Sequence, residues 1–394
     1  MKIDEKIMVL DGYSTRTLAC VRSFGRSNIP FSVGGHTHFD MSLLSRYARE
    51  KFIYTSPFKN ISQFFTDITY YINKFKTNML LPTSEAAILA LSKFRGQLGD
   101  RLLMPSDEQI DFFLKKYNTI KSVEKVGVRV PKTHLLTINN IKKLDPDELG
   151  YPLILKPNES TILTDSHVIS TGKFLFIRNK NDFLRKIDNY LHNNHSVLVQ
   201  SYIKGAGYGI SGIFREGIPV VLFAHRRLHE SNPMGGPSAL AVSQSVPSEH
   251  AAMVRRIMEP TKLTGPAMLE FKIDSEMKPV FMEINGRFWG SVLLPLKAGL
   301  DLPLILLKTI FQENLSEPDK AYKINLNGRY LVGDTKWLYL TMKGKPDHWP
   351  VPFEKRMNAL KIYAKSFFDR STFNLVLDPD DPLPFIGRII QEVI

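Results

Sequence analysis

Residues 282–288 read Met-Glu-Ile-Asn-Gly-Arg-Phe and continue an apolar run that begins at Pro279. On a β-strand Glu283 and Asn285 are two positions apart, so their side chains point to the same face. Two oxygen ligands on one face, with Arg287 just beyond them, suit a magnesium ion that holds phosphate oxygens. The stretch therefore predicts a strand that carries metal ligands.

A second strand-like run precedes this one and supplies a third oxygen donor. Residues 268–273 are separated from the first run by the turn-forming residues 274–278, which predicts a hairpin. Across such a hairpin Glu270 can lie beside Glu283 and Asn285. Taken singly, each carboxylate fits an exposed strand residue paired with a lysine better than a ligand. Taken together, the three residues favour a divalent-cation site.

The Glu-x-Asn-x-Arg pattern resembles the final metal strand of the ATP-grasp superfamily, in particular its carboxylate–amine ligases and the large chain of carbamoyl-phosphate synthase. Lys116, eleven residues before a Gly-Val-Arg-Val-Pro run at 127–131, resembles the first phosphate-binding lysine of that family. Lys156, which ends the apolar run 151–156, resembles the second. A lysine at a strand end can neutralise phosphate oxygens as a compact charge. An ordinary surface position is the alternative for both lysines, and it is stronger for Lys116. The resemblance covers roughly residues 1–310.

A hinge that lines the adenine pocket is the next piece that the resemblance implies. Residues 197–205 read Val-Leu-Val-Gln-Ser-Tyr-Ile-Lys-Gly, and the predicted nucleotide contacts here are Gln200, Ser201, Tyr202 and Ile203. A strand–turn–strand without any ligand fits the same segment equally well. The glycine-rich residues 205–209 lack the acid that would ordinarily bind the ribose.

Substrate contacts are predicted where the sequence resembles the HRRxxE…GGxS run of these ligases. Arginines can clamp a phosphate or carboxylate, and paired glycines let backbone amides approach an anion. The segments 45–47 (Ser-Arg-Tyr) and 82–85 (Pro-Thr-Ser-Glu) also match patterns in the first domain of these ligases, although Arg46 and Glu85 fit structural roles equally well. The predicted substrate residues are Arg226, Arg227, Gly235, Gly236, Ser238 and Glu85.

One segment departs from the family pattern. After Lys156 the family has a mobile Gly/Ser-rich loop over the triphosphate, whereas residues 157–171 contain no glycine. The hydroxyls of Ser160, Thr161 and Ser166 can replace part of the main-chain contact. The departure keeps open an alternative function, a catalytically impaired nucleotide-binding sensor or scaffold of the same fold.

The N-terminal third alternates strand and helix patterns, with apolar runs at 7–10, 31–34, 51–54 and 78–81. Such alternation predicts a parallel sheet between two helical layers. The predicted fold class is α/β plus α+β. It has a Rossmann-like pre-ATP-grasp domain over 1–113, a small ATP-grasp lobe over 114–204, a large lobe over 205–316 and a helical C-terminal segment over 317–394.

Composition limits the other functional classes. The chain has 394 residues, a net charge of +13 and one cysteine, Cys20. The cations are scattered without RNA-binding motifs, so we expect no nucleic-acid partner. The first strand is followed by no GxGxxG fingerprint, which disfavours a dehydrogenase. The sequence shows neither a signal peptide nor a membrane span, so we expect a cytoplasmic protein and leave a homo-oligomer possible.

The resemblance implies an ATP- and magnesium-dependent ligase with one or two metal ions, for which manganese is an alternative. Its substrates would be a small-molecule carboxylate and an amine, joined through an acyl phosphate with release of ADP and phosphate. Arg287 and Lys156 are the predicted catalytic residues, because preorganised cations stabilise charge on a transferring phosphoryl group.

Overall fold

A parallel sheet opens the fold. The computed structural model describes residues 5–141, 144–312, 321–346, 349 and 353–393. The order of the first four strands is β3-β2-β1-β4, all parallel. These strands are β1 (Ile7–Val9), β2 (Phe31–Gly35), β3 (Glu50–Ile53) and β4 (Met79–Leu81). The predicted α/β start of the chain is confirmed.

Helices cover both faces of this sheet because successive side chains of β1 point to opposite sides. Ile7 and Val9 pack with Leu18 of the first helix, whereas Met8 packs with Phe64 on the other face. The helices that accompany the parallel sheet and lead out of it are α1 (Thr15–Arg26), α2 (Ile61–Phe75), α3 (Glu85–Ser92), α4 (Arg95–Leu98), α5 (Asp107–Leu114) and α6 (Lys116–Lys125). Helices α5 and α6 are separated only by Lys115, which ends the first and caps the second.

A second sheet is small and antiparallel, in the order β5-β10-β6-β9. Two further strands, β7 and β8, form a separate hairpin directly after β6. The chain forms these elements in the order β5 (Thr133–Thr137), β6 (Leu153–Pro157), β7 (Thr161–Leu163), β8 (Val168–Ser170), β9 (Leu175–Ile177), α7 (Lys180–Asn194) and β10 (Ser196–Ser201).

The third and largest sheet has seven strands in the order β15-β14-β11-β12-β13-β16-β17. Its hairpin β14–β15 is the one predicted from the sequence, with its turn closed by the Asp274 carboxylate, which accepts from the Lys278 amide at 2.9 Å. The strands are β11 (Ala206–Arg215), β12 (Ile218–Glu230), β13 (Ser238–Gln244), β14 (Gly265–Ile273), β15 (Pro279–Asn285), β16 (Asn327–Arg329) and β17 (Thr372–Asn374).

The third sheet is also covered on both faces. One face packs Phe214 and Phe271 against Met253 and Ile257, and the other packs Phe223 near the fully buried Trp289. The helices around it and in the C-terminal segment are α8 (Ser248–Met258), α9 (Leu293–Lys297), α10 (Leu302–Phe311), α11 (Leu331–Lys343), α12 (Arg356–Phe368) and α13 (Leu383–Val393). Within the ranges the structure describes, no helix combines the length and the apolar content needed to cross a bilayer.

The C-terminal segment is more than the helical tail expected for 317–394. Its strands β16 and β17 extend the third sheet, and β16 pairs antiparallel with β13. Three-residue strands of mixed polarity (Asn-Gly-Arg and Thr-Phe-Asn) leave no periodic signal, which is why the sequence did not predict them.

A buried ion pair ties this segment to the first helix. The side chains of Arg22 on α1 and Asp381 are 2% and 1% exposed, and Nε of Arg22 lies 3.0 Å from Oδ2 of Asp381. Its guanidinium also donates to the carbonyl oxygens of Leu375, Val376 and Asp381 at 2.7–3.0 Å. All of these donors are therefore used to fix the approach to α13.

Ser45 and Arg46 also bind the segment around Asp381, and we refer to these contacts together with the Arg22–Asp381 pair as the clasp. Ser45 Oγ and the Arg46 amide donate to the Asp381 carboxylate at 2.9 and 2.8 Å, and the Arg46 guanidinium donates to the Asp380 carbonyl. Of the two roles left open for Arg46, these contacts give it a structural one.

Replacing Arg22 by methionine should destabilise the protein by about 3–5 kcal/mol, because it leaves the Asp381 carboxylate buried without its cation. The control is Arg26→Met, whose ion pair with Asp378 has an arginine side chain that is 40% exposed. This control should cost no more than about 1 kcal/mol. Urea unfolding followed by tryptophan fluorescence measures both, and equal losses would contradict the clasp.

Candidate active site

The β14–β15 hairpin brings the three predicted metal ligands together. Glu270 lies directly opposite Glu283, and Asn285 lies opposite Met268, one pleat away. The Asn285 side-chain amide is 3.4 Å from Oε1 of Glu270. Within the described ranges no group of three or more His, Cys, Asp or Glu residues is placed to hold a metal. The candidate site therefore consists of two carboxylates and one amide.

A bulge in β15 decides which side chains face this site. The pairing shifts after Glu270, so that Phe271 is opposite Phe281 and Met282 is the extra residue. Phe281 and Ile284 both enter the core, while Glu283 turns to the opposite side. Strict alternation would have put Phe281 and Glu283 on the same face.

The carboxylate pair suits a divalent cation. Burial raises the pKa of Glu270, and the charge of Glu283 raises it further against the opposing effect of Arg227. A dication between two buried carboxylates removes this repulsion, and carboxylate and amide oxygens are the donors that Mg²⁺ accepts. The donor set thus fits the predicted metal.

Arg227 on β12 is the cation closest to this pair. It forms an ion pair with Glu270, and its guanidinium lies 3.6 Å from Glu230. Burial lowers the pKa of Arg227, but the carboxylates of Glu270 and Glu230 outweigh burial, so the net shift is upward. Gly207 makes room for this side chain, since a Cβ there would lie 2.7 Å from Cδ of Arg227.

Lys156 on β6 faces the same carboxylates from the second sheet. Burial lowers its pKa to about 8; Lys116 adds to this effect, and the charges of Glu283 and Glu270 oppose it. Lys116 donates to Ser160 Oγ at 2.6 Å, and the Lys116 and Tyr117 amides bond to Asn158. Both predicted lysines thus lie at the same end of the hairpin as the candidate metal ligands.

Glu85 reaches the site from the parallel sheet. Its carboxylate accepts from Arg287 at 2.7 Å and from Thr161 Oγ1 at 3.1 Å. Burial raises the pKa of Glu85, but the charges of Arg287 and Lys116 and the hydrogen bonds from Arg287 and Thr161 outweigh it, so the net shift is downward. Glu85, at the start of α3, therefore connects the first sheet with Thr161 on β7 and with Arg287 after β15.

The backbone holds Glu85 in this place through Asp11. The Asp11 carboxylate accepts from the amides of Thr83 and Ser84 at 2.9 and 2.8 Å and from Ser84 Oγ at 2.9 Å. Ser84 in turn caps α3, whose first residue is Glu85. The Pro-Thr-Ser-Glu motif is therefore a rigid turn that presents one carboxylate.

The fold of this chain is shared with several solved structures of low sequence identity. The structure resembles an L-amino acid ligase from Bacillus licheniformis, with a TM-score of 0.63, 13% identity and coverage of 83% of this chain and 79% of that one. It also resembles an N5-carboxyaminoimidazole synthetase from Staphylococcus aureus, with a TM-score of 0.63, 13% identity and coverage of 93% and 98%. The chain has the ATP-grasp fold.

A further solved structure and one curated protein are also similar to this chain. The biotin carboxylase domain of Hydrogenobacter thermophilus 2-oxoglutarate carboxylase, bound to MgADP and bicarbonate, shares this ATP-grasp fold with a TM-score of 0.63 and 14% identity, over 82% of this chain and 73% of that one. The multifunctional protein pyrABCN of Emericella nidulans is 25% identical over 203 residues, which is 48% of this chain and 8% of that protein. No family model matches the sequence.

The predicted adenine hinge of this ATP-grasp chain is partly occupied by internal contacts. Gln200 is buried and donates to Thr133 Oγ1 at 2.9 Å. The amides of Ser201 and Tyr202 donate to the carbonyl oxygens of Lys132 and Pro152. Ile203 follows these two residues, and its amide donates to no backbone carbonyl among the described residues. The predicted hinge is therefore largely hydrogen-bonded within the protein.

The segment after Lys156 is an ordered hairpin and not an open loop. The Ile61 and Val168 amides bond to the carbonyl oxygens of Ser166 and Pro57, and Lys93 donates to the Asp165 carbonyl at 2.9 Å. Val168 is buried in the core formed with α2 and α3. These contacts with the first domain hold the segment, which contains no glycine, in one conformation.

A cavity of about 690 Å³ adjoins the metal ligands. Of the predicted substrate residues, Arg227, Gly236 and Ser238 line it, whereas Arg226 is exposed and does not line it. Neither glycine amide is free: Gly236 donates to Glu230 and Gly235 to the Asn232 carbonyl. None of Lys116, Lys156 and the four hinge residues lines this cavity.

Other residues that line the cavity were missed by the sequence analysis. They come from the turn after β1 and the start of α1, from the loop after β15, and from the C-terminal segment: Tyr13, Ser14, Thr15, Arg16, Trp289, Tyr330, Lys336, Arg388 and Glu392. The C-terminal residues belong to no motif.

His225 lies behind the cavity wall. It is 1% exposed, its Nδ1 has no hydrogen-bond partner among the described residues, and its Nε2 is 3.5 Å from Ser291 Oγ. Burial, with a smaller effect of the Arg227 charge, lowers the pKa of His225 to about 3. Gly209 leaves space for the ring, since a Cβ there would come within 2.4 Å of it.

His225 should make stability fall in acid. Between about pH 6.5 and pH 3 the unfolded chain holds a proton on this side chain that the folded chain excludes. Stability contributed by His225 is thus full above about pH 6.5 and is lost by about 1.4 kcal/mol per pH unit below it. Urea unfolding from pH 7 to 5 should give a shallower slope for His225→Gln than for the wild type. The exposed His192→Gln should keep the wild-type slope, and an unchanged slope in His225→Gln would count against the assignment.

Proposed function

We propose that this chain is an ATP- and Mg²⁺-dependent ligase that forms an acyl phosphate from a carboxylate and transfers the acyl group to an amine. The observation that carries the proposal is the opposed pair Glu270 and Glu283, with Arg287, Lys156 and a cavity of about 690 Å³ beside it. The fold supports it, since an L-amino acid ligase and an MgADP-bound biotin carboxylase domain share the fold.

The first step would join the carboxylate to the γ-phosphorus of ATP. A carboxylate oxygen forms the new P–O bond, and the bond to the β,γ-bridging oxygen breaks, so ADP leaves with that electron pair. Glu270, Glu283 and Asn285 would hold Mg²⁺, which supplies positive charge to the phosphate oxygens. Lys156 and Lys116 add charge from the second sheet, and positioning accounts for most of the rate.

The second step would use the same cavity. The amine nitrogen attacks the acyl carbon, the bond to the phosphate oxygen breaks, and phosphate leaves with the electron pair while the nitrogen loses a proton to solvent. Arg287 stabilises the negative charge that develops on oxygen in both steps. Its guanidinium is held for this by Glu85 and by the Phe288 carbonyl, to which it donates at 2.9 Å.

The test is release of ADP and phosphate from ATP and Mg²⁺ with a panel of carboxylates and amines. Glu283→Gln should lower kcat/KM by about 100-fold or more, because the metal charge that it holds is worth several kcal/mol. The matched control is Glu276→Gln, in the exposed turn of the same hairpin, which should behave as the wild type.

Two outcomes would contradict the proposal. Wild-type activity in Glu283→Gln would remove the metal-site assignment. ATP binding without ADP release over the whole panel would replace the ligase by a nucleotide-binding sensor or scaffold.

A further inference from the structure

Two cations of the cavity have no partner of their own. Within the described ranges Arg16 and Lys336 form no ion pair and no hydrogen bond through their side chains. The other cations of the wall are compensated, since Arg227 pairs with Glu270, Arg287 with Glu85 and Arg388 with Glu392. The cavity therefore holds an excess of positive charge.

Arg16 lies half-buried in the cavity wall, where its charge interacts with that of Arg287. Burial lowers the pKa of Arg16 to about 10, and the charge of Arg287 adds to this effect while Tyr13, Asp11 and Glu85 oppose it. Two half-buried guanidinium groups repel each other, and an anion that binds both would relieve this repulsion. The carboxylates that act on Arg16 are already engaged, since Glu85 accepts from Arg287 and Thr161, and Asp11 accepts from the amides of Thr83 and Ser84.

The wall that carries these cations is fixed by contacts between distant segments. Thr15 Oγ1 and the Tyr330 hydroxyl both donate to the Gly290 carbonyl, which joins α1 and the start of α11 to the loop after β15. Lys336 lies on α11, where Val332, Gly333 and Lys336 share the face that lines the cavity. The buried pair Arg22–Asp381 holds α13 and Arg388 against the same wall.

We infer that the carboxylate substrate carries a second anionic group, a carboxylate or a phosphate, which binds between Arg16 and Lys336. The inference rests on the proposed function for the place of the reacting carboxylate at Arg287. A substrate with a single carboxylate, bound at Arg287, would leave Arg16 and Lys336 in the cavity lining without an anionic partner. A dianionic substrate compensates both ends of the cavity, and guanidinium and ammonium groups bind either kind of anion well.

Matched pairs of probes test this inference without any turnover. Succinate and succinamate, L-glutamate and L-glutamine, and 3-phosphoglycerate and glycerate differ within each pair only in the second anionic group. Calorimetric titration of the full chain should give about 10-fold or more tighter binding of the anionic member of at least one pair, since a charged hydrogen bond of this kind is worth that much. The pair that responds tells carboxylate from phosphate.

Variants assign the preference to the two cations. Arg16→Gln should abolish it, Lys336→Gln should reduce it, and Arg16→Lys should retain part of it. Arg256→Gln, an exposed arginine on α8, should keep the full preference. Equal binding within every pair, no binding of any probe at millimolar concentration, or a full preference in Arg16→Gln would overturn the inference.

The two proposals fail in different ways. ADP release that neutral and anionic members support equally would leave the ligase and remove the anion subsite. An Arg16-dependent binding preference without ADP release would leave the subsite and remove the ligase.

Discussion

Two carboxylates that face each other across neighbouring strands create the electrostatic constraint around which this site is built. Glu270 and Glu283 lie in register on β14 and β15, and burial together with their mutual repulsion raises the pKa of Glu270. Nearby positive charge offsets this repulsion, and two different sheets provide it through Arg227 on β12 and Lys156 on β6. The pKa of Glu270 stays raised despite these cations, which is the physical reason for proposing a divalent cation between the two carboxylates.

The same constraint links distant parts of the chain. Arg287 follows β15, and its guanidinium is held at the site by the carboxylate of Glu85, the first residue of α3. Glu85 also accepts from Thr161 and so draws the β7–β8 hairpin to the site. A single carboxylate therefore fixes the relation between the first sheet, the hairpin and the metal strand.

The candidate metal ligands and the rest of the cavity wall have different origins. The candidate ligands and the two lysines follow a pattern that is readable in the sequence, whereas much of the wall comes from α1, α11 and α13. Those elements meet because Arg22 is buried with four acceptors around it: the Asp381 carboxylate and three carbonyl oxygens. A large buried network of this kind holds one geometry, because any other arrangement leaves charged groups without partners.

The sequence by itself determined the parallel N-terminal sheet, the β14–β15 hairpin and the candidate ligand set of Glu270, Glu283 and Asn285. These are local, periodic patterns, and strand periodicity and turn chemistry act over a few residues. Only the tertiary structure decided the bulge at Met282, the internal bonds of the hinge at Gln200 and the exposure of Arg226. It alone also brought Arg16 and Lys336 to one cavity. Such features arise from contacts between separate elements, 67 positions apart for Gln200 and Thr133, and no local pattern encodes them because they depend on how the strands and helices pack.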